Sequence, residues 1–417
     1  MIQALAVKTE DLSLDEVIEK YPEIPRLIVI KTDVQRRGVH YTDAALTAVD
    51  ETLHQTGGTH IFGTRDGILT QRPESLLLRD GTSIITTPTP LEDGPYMVDL
   101  REGKLVLVDN GETIEEVEYW HKPAYYDKRT SSGIIMQHVV SARPQRLYIM
   151  AERFCHFWKN GHGCKFCDIV NNLKQQRAEI GLPTRIKPAD VTETIEEALR
   201  EPGRFSAVCL TSGSNPNGAE PFDKEVQYYI DLLKAIGEAF AAPKFPSQLI
   251  STAFTEKQLE KLYTETGLLS YTADIEVLDE AAFNWICPGK AEWIGYREWK
   301  RRLVRAVNVF GRGMVNSCIV AGAETAKPHG FASEDEALRA TLSDAESLAE
   351  HGVGTVFTVW IPRPGSFFGG QKNPSLEYYV RLTKGLHEQQ IKYNLGLDFD
   401  DFRRCGNHPN SDLARIL

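Results

Sequence analysis

The feature that most constrains the fold is a repeated alternation of strand-like and helix-like segments over residues 144–396. Each unit begins with a short run rich in β-branched and aromatic residues and continues into a segment with apolar residues at helical spacing. The run RLYIMAE at 146–152 begins the first unit, and five further units follow it along the chain. Six strand–helix units in succession predict an α/β protein with a partial or complete parallel (βα) barrel.

Residues 1–143 have a different sequence pattern. They contain short β-like runs separated by turn signals, among them RLIVIKT at 26–32, GTHIFGT at 58–64 and SLLLRDGTSIITT at 75–87. The Asp-Gly pair at 80–81 and the Asn-Gly pair at 110–111 are typical of hairpins. We therefore predict a β-rich, mostly antiparallel accessory region ahead of the barrel, with a separate C-terminal tail over 397–417.

Composition excludes several classes of protein. The net charge of -11 over 417 residues argues against binding nucleic acid through bulk charge. The N-terminus has no basic segment followed by an apolar core, and no run approaches eighteen apolar residues, so we expect neither a signal peptide nor a membrane span. Seven cysteines with clustered spacing do not resemble a secreted disulfide framework. We therefore expect a cytoplasmic protein with reduced thiols.

Three of the seven cysteines, Cys155, Cys164 and Cys167, lie in the loop that follows the first strand of the repeat. Reactive groups of parallel barrels lie at the carboxyl ends of the strands. A structural zinc site would need His156 or His162 as a fourth ligand, although the second ligand pair typical of such sites is missing. The other interpretation is a [4Fe–4S] cluster held by three thiolates, with one iron open to a non-protein ligand. The spacing alone leaves both possibilities open.

The C-x8-C-x2-C arrangement, with Phe166 before the last cysteine, resembles the radical S-adenosylmethionine (SAM) superfamily. In that family three cysteines after the first barrel strand hold a [4Fe–4S] cluster, and SAM binds the fourth iron. The common family spacing is C-x3-C-x2-C, so this chain departs from it in the first gap. The resemblance implies that Cys155, Cys164 and Cys167 are the cluster ligands.

The resemblance extends to later strand ends, and there it is nearest to the biotin-synthase-like branch. In YTADIEVLD, Thr272, Asp274 and Glu276 share one face under strand alternation, and Glu276 matches an acidic residue that contacts SAM. The stretch LTSGSNPN after the second strand takes the place of the family's glycine-rich loop, which receives the amino group of SAM. Its candidate residues are Thr211, Ser212, Gly213, Ser214 and Asn215.

Residues of three further segments complete this set. Ile319 and Gly322, in SCIVAGAE, match the family segment that packs the adenine, and Glu324 ends the same pattern. Arg363, after the sixth strand, is a candidate for binding a substrate carboxylate or phosphate, with a structural ion pair as the alternative. Candidates for the cofactor carboxylate are the basic residues of the helix after the fourth strand, Arg297, Lys300 and Arg301.

The resemblance also implies a function. It predicts an enzyme that cleaves SAM reductively at the cluster, so that a 5′-deoxyadenosyl radical abstracts hydrogen from a small organic substrate. Cofactor or natural-product biosynthesis is the expected setting, with sulfur insertion, methylation, carbon–carbon bond formation or cleavage, and rearrangement as the possible outcomes. A reductant such as flavodoxin or ferredoxin would be a partner, and the oligomeric state is open. The alternative is a zinc-stabilised barrel that acts as a binding or scaffold protein, or as a hydrolase.

The tail DFDDFRRCGNHPNSDL, residues 398–413, concentrates Cys405, His408 and several carboxylates around a Gly-Asn turn. One interpretation is a solvated acidic loop, because charge-rich termini are usually of that kind. The other is a segment that folds over the barrel mouth. Cys405 would then be a catalytic hydrogen donor, and His408 a catalytic acid or base.

Overall fold

The computed structural model describes residues 11–56, 72–143, 145–240, 243–395 and 406–417. The strand predicted at 58–64 and the candidate residue Cys405 lie outside these residues. Across the described ranges the strands form two sheets, a six-stranded one in the N-terminal region and a seven-stranded one in the predicted barrel. No helix within these ranges is long and apolar enough to cross a bilayer.

The N-terminal sheet consists of β1 (Val39–Tyr41), β2 (Ser75–Leu78), β3 (Ser83–Ile85), β4 (Tyr96–Arg101), β5 (Lys104–Asp109) and β6 (Glu112–Tyr119). Its spatial order is β1-β4-β5-β6-β2-β3. β1 pairs with β4 in parallel, and the other neighbours are antiparallel. The β2–β3 and β5–β6 hairpins turn at the predicted Asp-Gly and Asn-Gly pairs, where Gly81, Asn110 and Gly111 have positive φ.

Helices also belong to this region, namely α1 (Leu14–Lys20), α2 (Arg26–Arg37) and α3 (Asp43–Thr47). The strand predicted at 26–32 is therefore wrong. Its β-branched run favours a strand locally, but the segment lies between two hydrophobic clusters. Ile30 and Val34 pack on the N-terminal sheet, while Ile28 and Val29 pack on the opposite cluster with the C-terminal helices. The buried positions of α2 also include polar side chains, among them Lys31, Asp33 and Gln35, so its apolar residues do not form one stripe with a helical period.

The second sheet contains β7 (Ser141–Ala142), β8 (Arg146–Met150), β9 (Ala207–Thr211), β10 (Ser247–Ser251), β11 (Ser270–Ala273), β12 (Val315–Ala321) and β13 (Val353–Val359). β8 to β13 lie side by side in chain order and are all parallel, and β7 adds an antiparallel strand to β8. In the described part of the chain β7 and β13 are the two outer strands, so the barrel is partial. The predicted α/β class with a parallel (βα) barrel is confirmed, while the domain boundaries stay predictions.

The helices that accompany this sheet are α4 (Met136–Val139), α5 (Ile169–Ile180), α6 (Pro188–Ala198), α7 (Asp223–Ala239), α8 (Glu256–Glu265), α9 (Glu280–Ile286), α10 (Pro288–Trp293), α11 (Tyr296–Phe310), α12 (Glu334–Glu350), α13 (Leu376–Lys392) and α14 (Pro409–Ile416). Strand residues alternate between two environments. Leu147 and Ile149 join the large core beneath the helices. Tyr148 and Met150 form a smaller interior cluster with Cys209.

The described part of the tail is not a solvated loop, so that interpretation is wrong for residues 406–417. The helix α14 packs against α2, α13 and β13. The carboxylate of Asp412 pairs with the ammonium of Lys31 on α2, and both side chains are buried. His408 Nδ1 lies 2.9 Å from the carbonyl oxygen of Phe357, and Asn410 donates to the carbonyl of Thr355 over 3.1 Å. The tail therefore lies along the outer edge of β13.

Candidate active site

The cysteine loop, residues 153–168, begins just after β8, the first of the parallel strands. Cys155 precedes a short helical turn, His156–Asn160, and the Cys167 amide donates to the Cys164 carbonyl over 3.0 Å in a second turn. Cys155 and Cys167 pack against the interior cluster of Tyr148, Met150 and Cys209. The strand order thus places this loop at the carboxyl edge of the barrel, on its interior side.

The three thiols are electrostatic neighbours. Burial, followed by the charge of Cys164, raises the pKa of Cys155 to about 12. Burial and then Cys164 also raise the pKa of Cys167 well above its usual value. A bound cation would reverse this preference, because metal binding favours the thiolate. The donor set therefore fits an iron–sulfur cluster, although no three His, Cys, Asp or Glu side chains of the described residues already stand in a metal-ligating arrangement.

A fourth cysteine joins this group from a distant part of the chain. Cys287, between α9 and α10, is fully buried, and its thiol is hydrogen-bonded to Cys164. Burial, with this hydrogen bond second, raises the pKa of Cys287 well above its usual value. The sequence analysis did not predict this contact. The one available signal was the position of Cys287 directly before the Pro-Gly-Lys segment that follows the fourth parallel strand.

Both histidines of the cysteine loop have other partners. The Nε2 atom of His156 lies 3.3 Å from Glu152, and its Nδ1 atom lies 3.3 Å from Asn217. The Nδ1 atom of His162 lies 2.5 Å from a Glu292 carboxylate oxygen. No observation in the described site therefore favours either imidazole as a zinc ligand.

The stretch 211–215 lies against the cysteine loop. The Gly213 amide donates to the Glu152 carbonyl over 2.9 Å, and the His156 amide donates to the Ser214 carbonyl over 2.8 Å. A Cβ atom on Gly213 would lie 2.6 Å from the Cys155 amide nitrogen, so only glycine allows this approach. Thr211 ends β9, and the Ser212 hydroxyl contacts the hydroxyl of Tyr229 at 2.6 Å.

A buried carboxyl group lies directly behind this stretch. The carboxyl group of Glu225, on α7, accepts a hydrogen bond from the backbone amide of Asn215 over 2.6 Å and another from the Thr252 hydroxyl over 3.3 Å. Burial is the main cause that raises the pKa of Glu225 to about 8. Stretch 211–215 contains no acidic residue of its own, and Glu225 brings a carboxyl group there from the next helix. Sequence reasoning missed it because Glu225 has ordinary helical neighbours.

Glu276 lies beyond the end of β11, in a left-handed conformation with φ of 72°. Its backbone bridges to β12, because its amide donates to Cys318 and its carbonyl accepts from Val320. Its carboxylate pairs with Lys290 of α10 at 2.5 Å. Burial disfavours the ammonium, but Glu276 and then Cys164 hold the pKa of Lys290 well above its usual value. Lys290 therefore places a positive charge near the cysteine loop.

The basic residues predicted for that role lie elsewhere. The side chain of Arg301 is 62% exposed and pairs with Glu298 within α11. Arg297 is more exposed still and pairs with Glu280, and Lys300 pairs with Asp344. The expectation for Arg301 is corrected accordingly, because the helical period turns this residue outward.

The two predicted adenine contacts have packed environments. Ile319 is fully buried in the core beneath the helices, while its neighbour Val320 lines a pocket on the other side of β12. Gly322 lies under α13, where a Cβ atom would meet the Tyr379 hydroxyl at 2.5 Å. Glu324 is buried and bonded to the Tyr378 hydroxyl. The side chain of Ile319 thus belongs to the core, and at this position only backbone atoms could reach a ligand inside the barrel.

No family model matches the sequence, and no curated protein matches it. Among solved structures the chain is similar to methylornithine synthase (PylB), with 16% identity over 62% of this chain and 72% of that chain and a TM-score of 0.40. It is similar to HydG, a maturase of the [FeFe]-hydrogenase, with 15% identity over 62% of this chain and a TM-score of 0.42; the chain spans 52% of HydG. A third is a radical SAM methyltransferase from Sphaerobacter thermophilus, with 14% identity over 91% and 92% of the two chains and a TM-score of 0.42. Likenesses this distant do not assign an activity. The fold and site define a partial (βα) barrel with a thiol-bearing loop at its carboxyl edge.

Proposed function

We propose that the protein is a radical SAM enzyme whose [4Fe–4S] cluster is held by Cys155, Cys164 and Cys167. The observation that carries this proposal is the position of the three thiols. They follow the first parallel strand, Cys155 and Cys167 pack against the interior cluster, and the backbone of Cys155 lies against Gly213 after the second strand. This is the edge at which parallel barrels carry out their chemistry, and thiolates are the ligands of iron–sulfur clusters.

The chain's own residues would bind and orient SAM. Stretch 211–215 offers backbone carbonyls and hydroxyls to an ammonium group, and Glu225 holds that stretch through the Asn215 amide. Lys290 would bind the SAM carboxylate, with Glu276 orienting it at 2.5 Å. When bound, the cluster and SAM supply reductive cleavage of a carbon–sulfur bond and hydrogen abstraction from the substrate.

The finer assignments belong to the same proposal. We infer a small organic substrate, a reductant such as flavodoxin or ferredoxin, a cytoplasmic location and a role in cofactor or natural-product biosynthesis. Membership of the biotin-synthase-like branch rests on the sequence resemblance around Glu276 and Gly322. Catalytic roles for Cys405 and His408 stay predictions.

Anaerobic reconstitution with iron and sulfide tests the proposal. We expect a brown protein that dithionite bleaches and that, once reduced, converts SAM to 5′-deoxyadenosine and methionine. A colourless protein that retains zinc and leaves SAM intact would refute the proposal and favour the zinc-stabilised barrel.

The cofactor contacts have a separate test. Glu276→Gln and Lys290→Met should each weaken SAM binding about tenfold, the size of one charge-assisted hydrogen bond, with unchanged iron content. Glu265→Gln, which changes an exposed residue at the end of α8, is the matched control. Equilibrium binding of SAM measures the effect, and wild-type affinity in both variants would remove these residues from the SAM site.

A further inference from the structure

The connection between α9 and α10 lies against the cysteine loop, and two backbone hydrogen bonds hold these segments together. The Lys165 amide donates to the Ile286 carbonyl over 2.9 Å. A second bond, from the Gly289 amide to the cysteine loop over 3.0 Å, closes the other side. Cys164 directly precedes Lys165 and Cys287 directly follows Ile286, so both cysteines lie between the two bonds. The backbone therefore places Cys164 and Cys287 opposite each other.

The side chain of Cys287 is held in this position. Its backbone amide donates to the Phe283 carbonyl over 2.8 Å, and its carbonyl accepts from the Ala291 amide over 3.0 Å. The side chain is fully buried in the large core, and its thiol is hydrogen-bonded to Cys164. Because protein cores are close-packed, a side chain so anchored has little freedom to leave this partner.

Cys287 is suited to donate this hydrogen bond. A cysteine thiol is mostly protonated near neutral pH, and burial favours its neutral form. Cys164 differs, because in the proposed function it binds iron as a thiolate, which accepts hydrogen bonds more strongly than a neutral sulfur. The ammonium of Lys290 lies within electrostatic reach of both sulfurs, so the surroundings also favour negative charge on Cys164.

We propose that Cys287 is a positioning residue that donates its S–H to the Cys164 sulfur and thereby makes the cluster easier to reduce. Its effect on the cluster rests on the proposed function. Hydrogen bonds to the sulfurs are among the factors that set the potential of an iron–sulfur cluster. The reduced cluster carries one more negative charge than the oxidised one, so a donor on Cys164 favours the reduced form. In metal-free protein the same bond orients the Cys164 side chain.

Infrared spectroscopy of metal-free protein tests the hydrogen bond itself. The S–H stretch absorbs where other protein groups do not, and donation of a hydrogen bond moves it to lower frequency. The difference between wild type and Cys287→Ala isolates the Cys287 band. Taken in a Cys164→Ala background, the same difference should show the higher frequency of a free thiol. Cys167→Ala, from the same loop, is the matched control and should leave the band in place.

Reduction potentials of the reconstituted cluster test the consequence, by dithionite titration followed with electron paramagnetic resonance. Cys287→Ala should lower the potential by about 59 mV, a tenfold change in the ratio of reduced to oxidised cluster. Cys287→Ser keeps a hydroxyl donor and should recover most of this shift. Ile286→Val trims the buried neighbour in the same connection without removing a donor, so it should keep the wild-type potential. Iron content should be equal in all four proteins.

The outcomes separate the role of Cys287 from the proposed function. A Cys287 band that does not respond to Cys164→Ala, or a potential that Cys287→Ala leaves unchanged, overturns this role and spares the radical SAM assignment. A shift equally large in Cys287→Ser also overturns it, and so does loss of iron in Cys287→Ser, which would make Cys287 a ligand. A band that responds as expected in a protein that never holds a cluster supports the thiol pair and refutes the radical SAM assignment.

Discussion

The cysteine loop and the tail both lie against the barrel, but they are attached by different kinds of interaction. The cysteine loop is held by backbone hydrogen bonds to neighbouring loops. Gly213 donates to the Glu152 carbonyl, Gly289 donates to the His162 carbonyl over 3.0 Å, and the loop's Lys165 amide donates to Ile286 over 2.9 Å. A Cβ atom at Gly289 would lie 2.7 Å from the His162 carbonyl oxygen, so this contact too requires glycine. None of these backbone bonds uses a thiol.

The tail is attached by its side chains. Asp412 pairs with Lys31, and His408 and Asn410 reach the outward carbonyls of β13. This difference implies that the cysteine loop and the tail can be altered independently of each other. Side chains of the cysteine loop are available for chemistry, whereas those of the tail hold the structure together. Substitutions in the loop should therefore change the metal content and spare the fold, and substitutions in the tail should do the reverse.

The largest effect is expected from the thiols. Cys155→Ser, Cys164→Ser and Cys167→Ser should each lose nearly all cluster iron, because a hydroxyl is a poor substitute for a thiolate. The far-ultraviolet circular dichroism of the apoprotein should match that of wild-type apoprotein. Cys209→Ser is the control, since Cys209 is buried in the same interior cluster but belongs to β9. Full iron content in a Cys155→Ser protein would show that the ligands are misassigned.

Asp412→Asn should have the next largest effect, on stability. It leaves the fully buried ammonium of Lys31 without its carboxylate, which lowers the free energy of unfolding by about 3–5 kcal/mol. Iron content should not change. The double variant Lys31→Met/Asp412→Leu should recover most of the loss, because two apolar side chains leave no buried charge.

Urea titrations of both variants measure the difference, and Glu346→Gln, which breaks an exposed pair with Lys392, should leave the unfolding midpoint almost unchanged. Equal losses for Asp412→Asn and Glu346→Gln would mean that the tail is not held by its buried ion pair.

The buried carboxyl group of Glu225, behind stretch 211–215, should make the stability of the protein depend on pH. Its folded pKa of about 8 lies above the ordinary value of 4.5, so its contribution to stability is fully present below pH 4.5 and is lost as the pH rises through about 8. Glu225→Gln should therefore flatten the decline of the unfolding free energy over this window, by up to a few kcal/mol at about 1.4 kcal/mol per pKa unit.

Parallel urea titrations at the two ends of that window measure the Glu225 effect. Glu265→Gln is the control, because Glu265 is exposed and its pKa is lowered by Lys234. An unchanged pH slope in Glu225→Gln would mean that this carboxyl is not buried in the folded protein.

The smallest effect is expected from His408→Ala. Loss of one hydrogen bond to the Phe357 carbonyl should cost about 1 kcal/mol, with iron content and SAM cleavage unchanged. Once a substrate is known, product formation decides between a tether and a catalytic group. If His408→Ala forms product at the wild-type rate, His408 has only a structural role.

Local sequence patterns were sufficient to predict the order of the barrel strands along the chain and the loop that carries the three thiols. Strand and helix periods repeat within a few residues, and the hairpin turns require Gly or Asn at positive φ, so both signals are complete in a short window. The same reasoning failed for α2, whose run of Ile28, Val29 and Ile30 has no helical period because opposite faces are buried against different clusters.

The sequence by itself determined the α/β class, the parallel order and the three cysteines after the first strand. Only the tertiary structure decided which other side chains join them. Glu225 reaches stretch 211–215 from a helix, Lys290 rather than Arg301 faces Glu276, and Cys287 reaches Cys164 from the connection between α9 and α10. These partners come from separate elements, and their meeting depends on how each helix is rotated against the sheet. That rotation follows from burial summed over the whole core, which no short stretch of sequence records.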